Sequence, residues 1–283
     1  MRNAMDRDCS DVAPDRVLLT RYRLAERIGI GACAAVFRAE DLRLSRPVAV
    51  KVFSAGPTSW ESELAILARL QHPFLVTILD CGVWAEELSA PRPFMVMEYV
   101  AGSDLRAMIA KHSTGMPLAK VARLGWVLAQ ALETVHANSV VHRDVKPANI
   151  LIDTSGLPKL CDFGVSRLHD SAEATIPGIT IGTASYLSPE QALGEPVHAS
   201  ADIYSLGLVL LECLTGVKAF PGSALEASIA RLLRDPVIPE WLGSEWSQLV
   251  TAMTDRVAAD RPTATECTEA LFELQLRQAA HAA

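Results

Sequence analysis

Between residues 140 and 153 the chain reads VVHRDVKPANILID, and His142, Arg143, Asp144, Lys146 and Asn149 all fall within eight positions. Apolar residues flank them, Val140 and Val141 before and Ile150, Leu151 and Ile152 after, so the segment is entering a core. A buried polar group without a partner costs roughly 2–7 kcal/mol. A chain that collects this much charge at the edge of a core has a use for it. Asp144, a second carboxylate at Asp162 in LCDFG (160–164) and the amide oxygen of Asn149 have the chemistry of a Mg2+ site. That hard cation takes oxygen ligands, keeps several waters and binds phosphate oxygens as well. His142 taken alone reads as a core histidine.

Two further stretches carry candidate chemistry. In GIGACAAV (29–36), Gly29 and Gly31 let the backbone approach a phosphate with no side chain in the way. A tight hairpin accounts for the same residues equally well. A dinucleotide fingerprint would need an acidic residue near 46–51, where RPVAVK stands, and the GK[ST] of a Walker loop is absent. In VAVK (48–51), strand alternation puts Val48 and Val50 on one face and Ala49 and Lys51 on the other. Such a lysine is usually solvated. If it turns inward it needs a carboxylate, for which Glu63 is the first candidate and Glu61 the second.

These residues must be carried by elements. From Tyr22 to about Tyr99 the pattern is β-type in YRLAERIG, AAVFRAED, PVAVKVF, LVTILDCG and FMVMEYV. One helix interrupts it over TSWESELAILARL (58–70), with Thr58 and Glu61 as a capping box. After Gly102 the pattern is helical, apart from short β-type pieces near 150–152 and 158–161. Leu118, Val121, Leu124, Leu128, Leu132 and Val135 trace one helical stripe. ADIYSLGLVLLECLTG (201–216) is apolar on nearly all sides and reads as a buried helix. Strands first and helices afterwards predict an α+β, two-lobed chain. Residues 165–187 lack periodicity and hold Ser171, Thr175, Thr180 and Thr183, a loop long enough to be functional.

Bulk properties exclude several classes. The 283 residues suffice for one large domain or two lobes, and half of them are hydrophobic, which is globular composition. A formal charge of −7 argues against a dedicated nucleic-acid binder. Cysteines 9, 33, 81, 161, 213 and 267 form no CxxC pair, so they are expected to be buried thiols in a reducing cytosol. The first 16 residues lack the apolar stretch of a signal peptide, and no uncharged run reaches the roughly 18 residues of a membrane helix. The expectation is a soluble chain, either entire or an excised domain.

GxGxxAxV, VAVK, HRDVKPAN, DFG and SPE (188–190) follow one another in the order and spacing of the protein kinase signature set. DIYSLG (202–207) and DRPTA (260–264) extend the likeness over nearly all of the chain after residue 20. IGTASYLSPEQALG and VMEYVAG are most similar to bacterial, especially actinobacterial, serine/threonine kinases, and Lys146 is similar to that class. The resemblance implies a protein kinase fold with a flexible segment at 1–18, an antiparallel N-lobe over 19–100 and a helical C-lobe over 101–283. Three places depart from the family pattern: Ala34 at the third glycine, where a small side chain still fits, Cys33 at the loop tip, which reads as an inert thiol, and a short link from Lys51 to Glu63.

By the same resemblance, Gly29 and Gly31 cover the phosphates of ATP, and Lys51 holds its α- and β-phosphates while pairing with Glu63. Asn149 and Asp162 hold Mg2+, or Mn2+ in its place. Asp144 orients the substrate hydroxyl, Lys146 neutralises the γ-phosphate and Thr183 hydrogen-bonds both. Met97 is the gatekeeper, Glu98 to Val100 the adenine hinge, and Val36, Ala49 and Leu151 sandwich the base. His142, Phe163 and Leu67 belong to a hydrophobic stack. Asp202 braces the catalytic loop, and Glu190 pairs with Arg261. Arg143 is expected to receive a phosphate on Thr175 or Thr180, with Ser171 third, after autophosphorylation in a transient homodimer. The implied function is Mg-ATP-dependent transfer to protein Ser/Thr hydroxyls in the cytoplasm. The alternatives are a pseudokinase scaffold and a small-molecule phosphotransferase, and the SPE segment with the loop before it argues against the latter.

Overall fold

A computed structural model describes Val12 and residues 15–31, 34–54, 66–85, 91–163 and 184–281. It separates into two compact units, Met1–Gln71 with Val76–Ala101, and His72–Leu75 with Gly102–Ala283.

The first unit is an antiparallel sheet. Its strands are β1 (Val17–Leu18), β2 (Tyr22–Ile30), β3 (Ala34–Asp41), β4 (Arg46–Phe53), β5 (Ile78–Trp84) and β6 (Arg92–Glu98), in the order β1-β2-β3-β4-β6-β5. Period-two alternation builds its core: Val48, Val50 and Val52 of β4 are fully buried, with Leu24, Phe37, Phe94 and Val96 around them. Each such side chain contributes about 1.5–3 kcal/mol on burial. A slip of one residue would drive Lys51 into that core, so the valines also set which face carries the lysine.

At the far end of β2, Arg21 grips Asp41 with two bonds of 2.9 and 2.7 Å and reaches Asp80 at 3.2 Å. Tyr22 donates its hydroxyl to the same Asp80 oxygen at 2.5 Å. The expected strand over 75–82 is displaced. β5 begins at Ile78, while Leu75 bridges to Leu160 and Phe74 O accepts from Leu160 N at 2.8 Å within the second unit. Cys81 on β5 is exposed, which corrects the expectation of buried thiols; Cys161, Cys213 and Cys267 are buried. Of the expected helix over 58–70 only the last residues are described, and 66–67 are helical.

The second unit holds seven α-helices among the described residues: α1 (Leu105–Ala110), α2 (Leu118–Ala137), α3 (Pro189–Leu193), α4 (Ala199–Thr215), α5 (Ala224–Leu233), α6 (Gly243–Met253) and α7 (Ala264–His281). α4 is buried without interruption from Ala201 to Leu214, as its all-round apolar sequence predicts. The stripe on α2 packs against α7 and α4. Their close approach depends on Gly125, where an added Cβ would come within 2.9 Å of Leu271 and 3.1 Å of Leu210. A small antiparallel sheet of β7 (Gly102–Asp104), β8 (Ile150–Asp153) and β9 (Pro158–Leu160) completes the unit.

Candidate active site

The polar run at 142–149 lies between α2 and β8 and is held from α4. The Asp202 carboxylate accepts the backbone N–H of His142 and of Arg143, each at 2.8 Å, and His136 Nε2 donates to it at 2.9 Å. Arg143 is left-handed at φ 65, a conformation that costs a non-glycine residue about 1–2 kcal/mol. The Asp202 bonds hold that strain in place. The brace expected from sequence is therefore present atom by atom.

His142 is completely buried. Its Nε2 lies 3.0 Å from Cys161 O, which can only accept, and its Nδ1 lies 3.3 Å from Asp144 N–H, which can only donate. Both contacts demand the neutral tautomer with hydrogen on Nε2. Desolvation acts in the same direction by lowering the ring's pKa. The ring packs on Phe163 at 4.8 Å between centroids. It is a packing residue, and the polar work falls to its neighbours.

Asp144 Oδ2 accepts from Lys146 Nζ at 2.7 Å and from Asn149 Nδ2 at 2.9 Å. Asn149 Nδ2 also donates to the Asp144 carbonyl at 2.9 Å. The other carboxylate oxygen, Oδ1, is buried and has no hydrogen-bond partner among the described residues. An acceptor left in that state suits a hydroxyl brought by a substrate. With Nδ2 so engaged, Asn149 Oδ1 points elsewhere and is chemically suited to a hard cation. Cys161 N donates to Asn149 O at 2.9 Å, so the β8–β9 hairpin returns Asp162 to the same end as Asn149. Asp162 is itself left-handed at φ 58. A carboxylate and an amide oxygen meet the donor requirement of Mg2+. On β8, Ile150 and Ile152 point into the core and Leu151 lies half-buried on the opposite face.

In the sheet unit, Lys51 stands opposite Val36 on β3 and Met95 on β6, and Ala49 stands opposite Met97. Lys51 is half-buried, with Nζ 5.7 Å from the Phe53 ring centroid. β6 ends at Glu98, whose N–H donates to Thr77 O at 2.9 Å, and Val100 lies beyond the strand. Among the described residues, a Cβ at Gly29 would meet Val36 at 3.6 Å and one at Gly31 would meet Ala34 O at 3.7 Å, both ordinary contacts. The described fold does not require glycine at either position. Clearance for a ligand remains as a reason. Glu63 and Glu61, Cys33, and Ser171, Thr175, Thr180 and Thr183 lie outside the described residues.

The segment following residue 183 is anchored by residues that the sequence reading did not single out for this role. Ser205 Oγ donates to Tyr186 O at 2.8 Å, and the Tyr186 hydroxyl donates to buried Glu212. Burial raises the pKa of Glu212. Arg231, fully buried on α5, donates to the carbonyls of Ala184 and Leu187 and stacks on Phe220 at 5.1 Å. Desolvation pulls its pKa down to about 10. Glu190 pairs with Arg261 through two bonds of 2.8 and 2.9 Å, as the resemblance implied. A lone Arg in an amphipathic helix carries no signal of such a role. Ser188-x-x-Gln191 is legible as a capping box, but the reach of Gln191 beyond it is not.

A carboxylate with one open, buried oxygen, braced by a lysine and an amide on a loop held from a core helix, is the arrangement of a protein kinase catalytic loop. The protein kinase domain family matches residues 22–272, and the chain belongs to that family. It is 42% identical over 232 residues to the serine/threonine-protein kinase PknB of Mycobacterium leprae, covering 78% of this chain and 37% of that protein. It is 37% identical over 263 residues to the serine/threonine-protein kinase PknL of Mycobacterium bovis, covering 89% and 64%. A third relative, the DNA damage-responsive serine/threonine-protein kinase RqkA of Deinococcus radiodurans, is 35% identical over 232 residues, covering 80% and 34%. The chain thus spans between 34% and 64% of the length of these three relatives. No described helix is long and apolar enough to cross a membrane.

Proposed function

We propose that this chain is the catalytic domain of a serine/threonine protein kinase, comprising residues 19–283, which transfers the γ-phosphate of ATP to protein hydroxyls. The observation that carries this reading is the open, buried Oδ1 of Asp144 beside the Lys146 ammonium. Asp144 orients the acceptor hydroxyl and takes up its proton as the new phosphate ester forms. Lys146 offsets charge on the transferred group and holds Asp144 through Oδ2. Lys51, with Glu63 as its partner, positions the α- and β-phosphates. Gly29 and Gly31 admit the phosphates closely, and Val36, Ala49, Met97, Leu151 and the Glu98–Val100 backbone receive the adenine. Asn149 and Asp162 are the residues that would hold Mg2+ or Mn2+, which neutralises phosphate charge when bound. Nearly all of such catalysis is positioning and charge neutralisation.

Thr175 or Thr180, phosphorylated in a transient homodimer, supplies a phosphate for Arg143, and Thr183 hydrogen-bonds Asp144 and Lys146. The net charge of −7 supports protein rather than nucleic-acid substrates, and the reducing-compartment reading of the cysteines supports a cytoplasmic site of action. The test is incubation with labelled ATP and Mg2+, alone and with a generic basic protein, followed by phosphoamino-acid analysis. Label on Ser or Thr is the expected outcome. ATP binding without transfer would instead make the chain a pseudokinase scaffold.

A further inference from the structure

Gln191 is the third residue of α3, a position from which a capping box needs only an acceptor. Its Oε1 accepts the Ser188 backbone N–H at 3.0 Å and lies 3.3 Å from the Ser188 hydroxyl, while Ser188 Oγ accepts from Gln191 N–H at 3.4 Å. A glutamate would cap equally well, and its charge suits a helix N-terminus better. What glutamate lacks is the second half of the amide. Gln191 Nε2 donates to the carbonyl of Arg143 at 2.9 Å, across 48 residues of sequence. The orientation of the amide is settled at both ends, because the Ser188 N–H can only donate and the Arg143 carbonyl can only accept.

Arg143 is the left-handed residue directly before Asp144. Asp202 holds its N–H, and Gln191 holds its carbonyl, which belongs to the peptide unit leading into Asp144. We propose that Gln191 is a positioning residue for Asp144: its side-chain amide fixes the Arg143–Asp144 peptide plane, so that the aim of the carboxylate depends on α3. The proposal rests on the reading of Asp144 as the group that faces the acceptor hydroxyl.

The test is Gln191→Glu in the full chain, with Gln191→Ala beside it. The glutamate variant keeps the capping acceptor, loses the donor and turns a negative oxygen towards a carbonyl. At neutral pH its kcat is expected to fall about tenfold or more, with KM for ATP unchanged and the thermal midpoint unchanged or higher. Protonating the introduced carboxyl restores a donor, so the ratio of variant to wild-type kcat should rise as the pH is lowered. The alanine variant should lose kcat similarly and thermal stability as well, with no such pH dependence. Wild-type kcat in the glutamate variant overturns the proposal. So does a glutamate variant whose activity falls in step with its thermal midpoint and keeps a pH-independent ratio to the wild type. Amide hydrogen exchange over residues 143–145 separates this failure from that of the phosphotransfer reading. If the wild type transfers no phosphate, that reading fails. Faster exchange in Gln191→Glu still supports the clamp, and unchanged exchange overturns it.

Discussion

At the scale of single residues, Asp144 and Lys51 carry different burdens and should fail differently. Asp144 faces its open oxygen away from Lys146 and Asn149. Asparagine keeps its shape and, in the role proposed for Asp144, removes the proton acceptor; general-base catalysis contributes about 10²–10⁴-fold. Asp144→Asn should therefore lower single-turnover transfer by that order while nucleotide titration gives a wild-type Kd. Lys51 is half-buried on the strand face opposite the valine core. Methionine matches its aliphatic stem, so Lys51→Met should shift the thermal midpoint little, a change within about 0.5 kcal/mol, while transfer collapses. Transfer assays paired with thermal melts separate the two effects, and a collapsed fold would make Lys51 structural. His142 shows the opposite case of a polar residue whose burial and two backbone contacts leave it neutral.

Elements decide where these side chains can act. α4 is buried from Ala201 to Leu214, and within that stretch Asp202 and Ser205 bond the backbone of other segments. α5 spends Arg231 on the carbonyls of Ala184 and Leu187. The Ser205 and Arg231 bonds tie the stretch after residue 183 to helices that lie 19 to 47 residues away in sequence. The pair between Glu190 on α3 and Arg261 before α7 closes the same region, and the arginine side chain has no exposure at all. Truncating one partner of a buried pair leaves an uncompensated charge at a cost of about 3–5 kcal/mol. Glu190→Ala should therefore lower stability by that order in denaturant titration. Glu190→Ala combined with Arg261→Met should recover part of the loss, because no unpaired charge remains.

For the whole molecule, the acid response depends on carboxylates paired inside each unit. Arg21 draws the Asp41 carboxyl down from its ordinary 3.8 to about 2. The folded chain then binds fewer protons than the unfolded chain between these values, so stability rises with pH across that window. The contribution is complete above about pH 4 and disappears as the pH falls through 2. Glu190 is lowered beside Arg261 and acts with the same sign, whereas Glu212 is raised by burial and opposes it. Asp41→Asn should be less stable than the wild type at neutral pH and show a shallower loss on acidification. Urea midpoints measured from pH 5 to pH 2 check both outcomes. Parallel curves for the two proteins would remove Asp41 from the acid response.

The division between sequence and structure follows from what each can encode. Alternation in VAVKVF placed the valines inward and Lys51 outward, because the strand period is two and one face is buried. The 3-and-4 stripe from Leu118 to Val135 and the unbroken apolar run of α4 likewise announced their burial. Motif order from Gly29 to Ala264 is enough to identify the family. The displacement of β5 and the exposure of Cys81 escaped, since LVTILDCG is apolar enough for either register and a cysteine fits both faces. The Gln191 contact with Arg143, the Arg231 contacts with Ala184 and Leu187, and the vacant oxygen of Asp144 were beyond reach for another reason. Local patterns encode period and burial within a turn or a strand. Which amide meets which carbonyl across dozens of residues is decided only when helices pack, and the position of Asp144 depends on those contacts.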